Sequence, residues 1–402
     1  MAKRIFISGT GKDVGKTSIS LALIHLLNKH YQRIGYIKPI SQRFVYMSGR
    51  KAGDDPVLIK QTFQLSHDIS DMSPVVIDGD LTKKVIRGEV RKSYSRTVSR
   101  AFKHIEQESD FVIVEGAGRA SIGSVIRQSN ADTARLLNAD VLLVGGGGLG
   151  RAIDNVMLDK AFFESRGCRV IGVVINKVYP WKYDVICPLL QEWFHKERIP
   201  LLGVLPYHAS LSWPGLLLAK KETRAKILNS AQDADRKIEH VIIAAKGIDS
   251  ILDDLRRAGR GTLLVVSVDQ TDIFFFLISP YFKNMACSKN IAGVLISGCK
   301  EDTAKVEEIF SGFWAPVLVS PYSIYDTAVK IHDLKPKMLL DDEQNIKMLK
   351  TLSETFIDLD RLQERINSSR DFSQRTFQQD AAAFLYDLIQ RCIAAVKKFL
   401  KK

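Results

Sequence analysis

The stretch that most limits what this chain can become is its opening, MAKRIFISGTGKDVGKTS. A short apolar run, Arg4–Ser8, breaks into Gly9–Thr10–Gly11. Gly15–Lys16–Thr17–Ser18 then leads into a run with apolar residues at Ile19, Leu21, Leu23, Ile24 and Leu27. Strand, glycine turn and helix in that order describe a backbone able to wrap a phosphate. Glycines let several N–H groups converge on one anion, and the helix start adds its positive dipole end. Lys16 supplies a cation for terminal phosphates and the Thr17 hydroxyl suits Mg²⁺. The spacing is unusual: five residues, Thr10 to Val14, separate Gly9 from Gly15, where the common pattern has about four. The candidate nucleotide-binding residues of the loop are Gly9, Thr10, Asp13, Val14, Gly15, Lys16, Thr17 and Ser18.

The rest of the first half keeps the same rhythm. Arg33–Lys38, Ser109–Glu115, Asp140–Gly145 and Arg169–Asn176 read as strands, with helical stretches such as Ala131–Leu137 and Ile153–Arg166 between them. Near-continuous apolar strands separated by helices indicate a parallel sheet covered on both faces. Pro206 and Pro214 punctuate a loop, and a second alternation follows through His240–Ala245, Gly261–Val268, Ile291–Ser297 and Pro316–Ser320. The expected domains are 1–212, a nucleotide-binding sheet; 213–340, a smaller α/β domain; and 341–402, a helical extension. In that extension Leu349, Leu352, Phe356 and Leu359 form one apolar stripe, and Phe384, Leu388 and Cys392 another.

Composition bears on what else the chain does. Its 402 residues are 46% hydrophobic and 26% charged, ordinary for a globular protein. No run approaches the length of a membrane helix, and the apolar run after Arg4 ends by Gly9, so no secretory leader is read. The five cysteines are scattered without a C-x-x-C, which fits a reducing compartment; the expected location is cytoplasmic. A net charge of +13 reads either as a basic, solvated surface or as a sign of an anionic partner such as a nucleotide, nucleic acid or membrane surface. The basic residues form no stripe interleaved with aromatics, so nucleic acid is not the expected one.

Four further positions carry chemistry. Phe111–Gly118 reads FVIVEGAG: an apolar strand ends in Glu115, followed by Gly116. A carboxylate at a parallel strand's tip beside the loop strand is placed to hold Mg²⁺; an isolated strand-end Glu would merely face water. Lys38 ends the second strand, where a phosphate or carboxylate of a second substrate would lie, although alone it reads as a solvated lysine. Asp54–Asp55 precede a helix-like run, as a helix cap with a Mg²⁺ ligand or as a cap only. Asn176 sits at a strand tip, able to donate and accept on a purine edge or to open a turn.

Together these residues resemble a known family. GTGKDVGKT is similar to the GTDTxVGKT loop of dethiobiotin synthetase and its relatives, a branch with the one-residue-longer loop. GYIKP resembles that family's GYxKP, VEGAG its VEGAG, and VINKV its base-recognising segment. LGVLPY resembles its LGxxPW-like strand end, and the likeness covers about Ala2–Ser212. The resemblance implies Mg·ATP as cofactor, with Lys16 and Thr17 on phosphates and Mg²⁺. It implies Asp55 and Glu115 completing the metal site, Lys38 facing the second substrate, Asn176 reading adenine, and a homodimer. Ser41 lies near the family's substrate-contacting Ser, with the register short by one, and RASIGSVIRQSNADTARLL departs from the expected substrate segment.

GTLLVVSVDQTDI, IAGVLISGC and SPYSIYDTA resemble the DRTGG domain, which follows such an ATPase domain in the N-terminal region of long phosphotransacetylases and in stand-alone proteins. The stretch GSVIRQSNADTARLLNADVLLVGGGGLGRAID resembles those stand-alone proteins. Asp269–Gln270 stand where Asp-Arg is expected, and Ser297–Gly298–Cys299 where Thr-Gly-Gly is expected. Helices stand where an acetyl-transferring domain would follow, so acetyl transfer is not expected of this polypeptide. Three readings stay open: an ATP-dependent ligase or synthetase acting on a small anionic carboxylate or carbamate, a nucleotide-binding regulatory or sensor module, and a scaffold with a vestigial site.

Overall fold

Strand β1, Lys3–Gly9, opens on half-buried Lys3 and Arg4 and is buried from Ile5 onward, through Ile5, Phe6 and Ile7 to Ser8 and Gly9. Such a strand needs neighbours on both edges and cover on both faces. It receives β3, Phe111–Glu115, on one edge and β4, Asp140–Gly145, on the other, both parallel. β2, Ile34–Ile37, joins beyond β3, while β5, Val170–Val178, and β6, Leu201–Pro206, extend the far side. The six-stranded order is β6-β5-β4-β1-β3-β2. Helix α1, Lys16–Leu27, leads from β1 towards β2, and α4, Gly150–Ser165, leads from β4 to β5 in the opposite direction. Right-handed crossovers running in opposite directions put these helices on opposite faces. The order reverses around β1, which opens a crevice at the strands' carboxyl ends.

The computed structural model describes residues 2–47, 49–90, 93–229, 236–299, 303–334 and 343–368. The chain divides into Met1–Tyr207 with Leu339–Lys402, and His208–Met338. In the first unit, α2 is Asp54–Phe63 and α3 is Ser95–Gln107. An antiparallel hairpin, Phe44–Met47 with Arg50–Gly53, lies between β2 and α2 and was not foreseen from the sequence. After β5 comes α5, Pro180–Lys196.

The second unit is a five-stranded sheet. Its strands are β7 (Lys226–Ile227), β8 (His240–Ile243), β9 (Thr262–Ser267), β10 (Ile291–Ser297) and β11 (Val317–Ser320), in the order β7-β11-β10-β9-β8. Only β7 is antiparallel to its neighbour. α6 is Leu216–Glu222, α7 Ile248–Ala258, α8 Thr271–Ile278 and α9 Ala304–Phe310. From β8 to β11 each strand lands beside the last, so right-handed crossovers put α7, α8 and α9 on one face. There Leu255, Phe274 and Phe310 pack on Leu264, Val266, Val294 and Ile296. The opposite face is covered by α6 and by α10, Ile324–His332, through Leu216, Ala219 and Ile331.

Helix α11, Glu343–Phe356, belongs to the first unit and packs along α1, where Glu354 meets Lys29 at 2.6 Å and His25 at 3.0 Å. Leu349 of the first apolar stripe is buried. The chain beyond the helix reaches the β6 edge, where the Asp358 amide donates to the Leu202 carbonyl at 2.8 Å. The stripe at Phe384, Leu388 and Cys392 lies outside the described residues. No helix of the described residues is long and apolar enough to cross a membrane. The chain is thus an α/β protein: a P-loop parallel sheet with helices on both faces, a second smaller α/β unit, and a C-terminal helical segment.

Candidate functional site

The loop after β1 is shaped by what its glycines exclude. A Cβ on Gly9 would sit 2.7 Å from Val14 Cγ2 and 3.0 Å from Lys16 Cδ, because the Lys16 stem folds back over the loop. Gly15 has φ +94°, and a Cβ there would lie 2.2 Å from Asn176 Nδ2. A side chain at either position would displace these neighbours, and the second position also needs left-handed backbone. Asp13 holds φ +58° as well. Backbone ties fix the loop's start: Gly9 N–H donates to Gly118 O at 3.2 Å, and Thr10 N–H to Val144 O at 2.9 Å. α1 begins at Lys16 with Gly15 as its cap and no capping side chain, so the first-turn amides at Lys16, Thr17 and Ser18 have no partner within the helix.

Asn176 and Lys177, at the end of β5, hold the loop from its other side. Asn176 Nδ2 donates to Val14 O at 3.0 Å and Lys177 Nζ donates to Asp13 O at 2.8 Å. Asn176 Oδ1 accepts from the Lys177 amide at 2.9 Å. A carboxamide has two donors and two lone pairs, so one of each remains on Asn176 for a further partner. Burial lowers the Lys177 ammonium, against the pull of Asp13.

The carboxylates converge beside this loop. Glu115 is fully buried at the tip of β3. One of its oxygens accepts from Thr17 Oγ1 at 3.0 Å and from Lys38 Nζ at 2.8 Å. The other accepts from Ser20 Oγ at 2.8 Å and from Tyr36 OH at 2.9 Å. Asp55, in the first turn of α2, ion-pairs with the same Lys38 ammonium. Lys38 is only 7% exposed. Burial pushes its ammonium down, but Asp55 and Glu115 outweigh that and hold it above its ordinary value. Burial lowers Lys16, Lys38 beside it adds to the shift, and Glu115, Asp55 and Asp13 oppose it. Burial and the two neighbouring carboxylates push the Tyr36 phenol well up, so it remains a donor to Glu115.

The structure therefore brings Lys16, Thr17, Lys38, Asp55 and Glu115 together. Lys38 does not face open solvent; it fills the space between the two acids. Asp54–Asp55 do not cap α2, whose cap is Gly53 without a side-chain bond; Asp54 instead accepts from the Asp55 amide at 3.0 Å. Gly116 packs against Phe6 and Asn130 behind the crevice. Ser41 is buried and hydrogen-bonded to Ser73 at 3.2 Å, an inner contact of the α2 approach. Ser20 and Tyr36 were missed as partners of Glu115. The signal was present: Ser20 is one helical turn after Thr17, and Tyr36 is two residues before Lys38, on the same strand face.

A magnesium ion takes hard oxygen ligands. The oxygens of Thr17, Asp55 and Glu115 meet that demand, and the buried Lys38 ammonium already stands among them as a cation. The residues present thus fit the ion. Among the described residues no cluster of three or more His, Cys, Asp or Glu could hold a metal.

In the second unit the drifted motif residues knit strand ends together. Gln270 Nε2 donates to Ala244 O at 2.6 Å, and its Oε1 accepts from the Ser267 amide at 3.0 Å. Ser297 Oγ donates to Val266 O at 3.1 Å. Gly298 N–H donates to Tyr322 O at 2.7 Å.

The sequence pattern of the AAA domain family matches residues 3–215, and that of the DRTGG domain matches residues 220–334. Curated relatives include a phosphate acetyltransferase of Nitrosomonas europaea, 24% identical over 397 residues, covering 96% of this chain and 54% of that protein. Another, from Pseudomonas putida, is 25% identical over 414 residues, covering 98% of this chain and 56% of that protein. The chain spans about half the length of the curated relatives it matches. Among solved structures, a plasmid partition protein of Borrelia burgdorferi is 13% identical with a TM-score of 0.35, covering 52% of this chain and 89% of that one. With a P-loop at the end of β1 and a matched segment spanning more than half its length, the chain belongs to the AAA domain family, followed by a DRTGG domain as in the N-terminal region of phosphate acetyltransferases.

Proposed function

We propose that the first unit binds Mg·ATP. The observation that carries this reading is the meeting of Thr17, Asp55 and Glu115 oxygens beside the phosphate-wrapping loop, with a lysine ammonium between them. The loop amides and Lys16 take the phosphates, and the three oxygens take the ion, which would polarise the terminal phosphate. Lys38 neutralises the two carboxylates in the absence of another cation, and a positive charge entering that space frees it to face an anion beside the phosphates. Asn176 retains one donor and one acceptor with which to read the base.

Two uses of such a site follow. In an ATP-dependent ligase or synthetase, a small carboxylate or carbamate lies against Lys38 and receives the terminal phosphoryl group. Positioning and charge neutralisation by Lys16, Lys38 and the ion supply the catalysis. In a regulatory module, nucleotide occupancy is itself the signal. The second use is favoured by the buried, inward-bonded Ser41, whose hydroxyl is engaged with Ser73. ATP turnover with and without candidate carboxylates, such as diaminopelargonic acid with bicarbonate, separates them. Strong stimulation supports the synthetase; tight binding without stimulation supports the module. A homodimer forms part of the proposal, and sedimentation with and without nucleotide measures it.

A further inference from the structure

At the carboxyl ends of β5 and β6 the chain carries three aromatic residues that the site described so far does not use. Tyr179 and Trp181 stack at 4.5 Å with 20° between their planes, and Tyr207 meets Tyr179 edge-on at 5.4 Å. Tyr179 and Tyr207 follow adjacent strand ends, and Trp181 lies in the first turn of α5: Val178 pairs with Pro206, and the Tyr207 amide donates to Val178 O at 2.7 Å. Despite their mutual packing the stacked pair is open to solvent, Trp181 73% exposed and Tyr179 49%, while Tyr207 is half-buried. An aromatic pair stacked face to face yet open to water has committed its geometry without burying its area. Water gains nothing from it, whereas a flat aromatic ligand does.

Their place in the chain narrows the ligand. Tyr179 follows Asn176 by three residues, and Asn176 already touches the phosphate loop through Val14 O. Where the base of a nucleotide held on that loop turns to the Asn176 side, these aromatics are the next groups along the chain. Lys177, between Asn176 and the aromatics, is fixed to Asp13 O and takes the left-handed φ +64°. That turn sends the chain from the loop clamp directly into the aromatic pair.

We propose that Tyr179 and Trp181, braced by Tyr207, form the face on which the base of the bound nucleotide stacks, with a purine preferred for its larger π surface. This inference rests on the loop binding phosphates. Asn176 would then meet the base edge while the aromatic pair meets its flat side. The exposed apolar residues further along α5, Val185 and Leu189, lie beyond the pair and play no part in it.

The test compares Mg·ATP with inorganic tripolyphosphate, which carries the phosphates without a base, titrated into the full chain by calorimetry. Stacking on one aromatic side chain is worth roughly 1–3 kcal/mol per base, so Trp181→Ala should loosen ATP by about 5- to 150-fold. Tripolyphosphate affinity should stay that of the parent, and Trp181→Phe should restore most of the ATP affinity. Because Trp181 is so exposed, truncation leaves the fold intact, which an unchanged melting temperature checks. Equal ATP affinity in Trp181→Ala and parent, with tripolyphosphate still bound, overturns the stacking face and leaves the phosphate loop standing. If the parent binds neither compound, the loop reading fails and the stacking face fails with it.

Discussion

The Lys38 ammonium stands 2.8 Å from Glu115, a carboxylate with no exposure at all, and shares itself with Asp55. A buried carboxylate of this kind is costly to leave without a compensating cation. Removing that partner leaves two acids facing each other in a dry site. Lys38→Ala should therefore destabilise the fold by about 3–5 kcal/mol. Millimolar Mg²⁺ should restore part of that loss if, as proposed, the ion enters the same oxygens. Thermal melts of parent and variant with and without Mg²⁺ read this directly. A variant that melts with the parent would show that the pair carries no such weight.

The second prediction concerns the loop backbone. Gly15→Ala puts a methyl group 2.2 Å from Asn176 Nδ2 at φ +94°. Strain of about 1–3 kcal/mol should appear in denaturant melts, and nucleotide binding should be lost because the loop moves off its clamp. Gly88 serves as control: its φ is +77° but nothing lies within 4 Å of its Cβ. Gly88→Ala should show backbone strain with nucleotide binding intact.

Asn176 carries the third. Its bond to Val14 O makes it a brace of the phosphate loop as well as a candidate reader of the base. Asn176→Ala should weaken both ATP and tripolyphosphate, by about two- to tenfold for one lost hydrogen bond. Weakening of ATP alone would show that the side chain serves the base and that the loop holds without it.

The fourth is a pH dependence away from the site. Burial pushes the Cys168 thiol up from 9.0 to about 11, and its Sγ donates to Ala131 O at 3.3 Å. The folded state thus holds the proton more tightly than the unfolded chain. The resulting stability is complete below pH 9.0 and is lost as pH rises towards about 11. Cys168→Ala should lower the melting temperature at neutral pH through the small cavity it leaves, yet flatten the decline across that window. An identical alkaline slope in parent and variant would contradict the assignment.

Most of the strand-and-helix rhythm was legible, because buried parallel strands such as Phe111–Glu115 are uninterrupted apolar runs between turn residues. Glu115 stood out only in company: a lone strand-end Glu reads as facing water, and it was the Gly15–Lys16–Thr17 loop upstream and the glycine after it that marked the position. What stayed hidden was pairing across distance. Lys38 reads from sequence as a strand-end lysine facing a crevice, and nothing local announces that Asp55 and Glu115 close on it. The hairpin was missed because its second arm, Arg50–Gly53, has no β-branched or aromatic residue. Its pairing comes from Gly49, at φ +75°, and from the partner strand Phe44–Met47. Helix α11 was readable as a helix but not as a neighbour of α1, since its contacts with His25 and Lys29 span more than three hundred residues of sequence.

The most direct measurement is calorimetric titration of Mg·ATP into the full chain and into Lys16→Ala. The account predicts saturable heat from one site per chain in the parent, and none in a variant that melts at the same temperature. A parent that takes up no Mg·ATP, or a Lys16→Ala variant that binds as tightly as the parent, would contradict it.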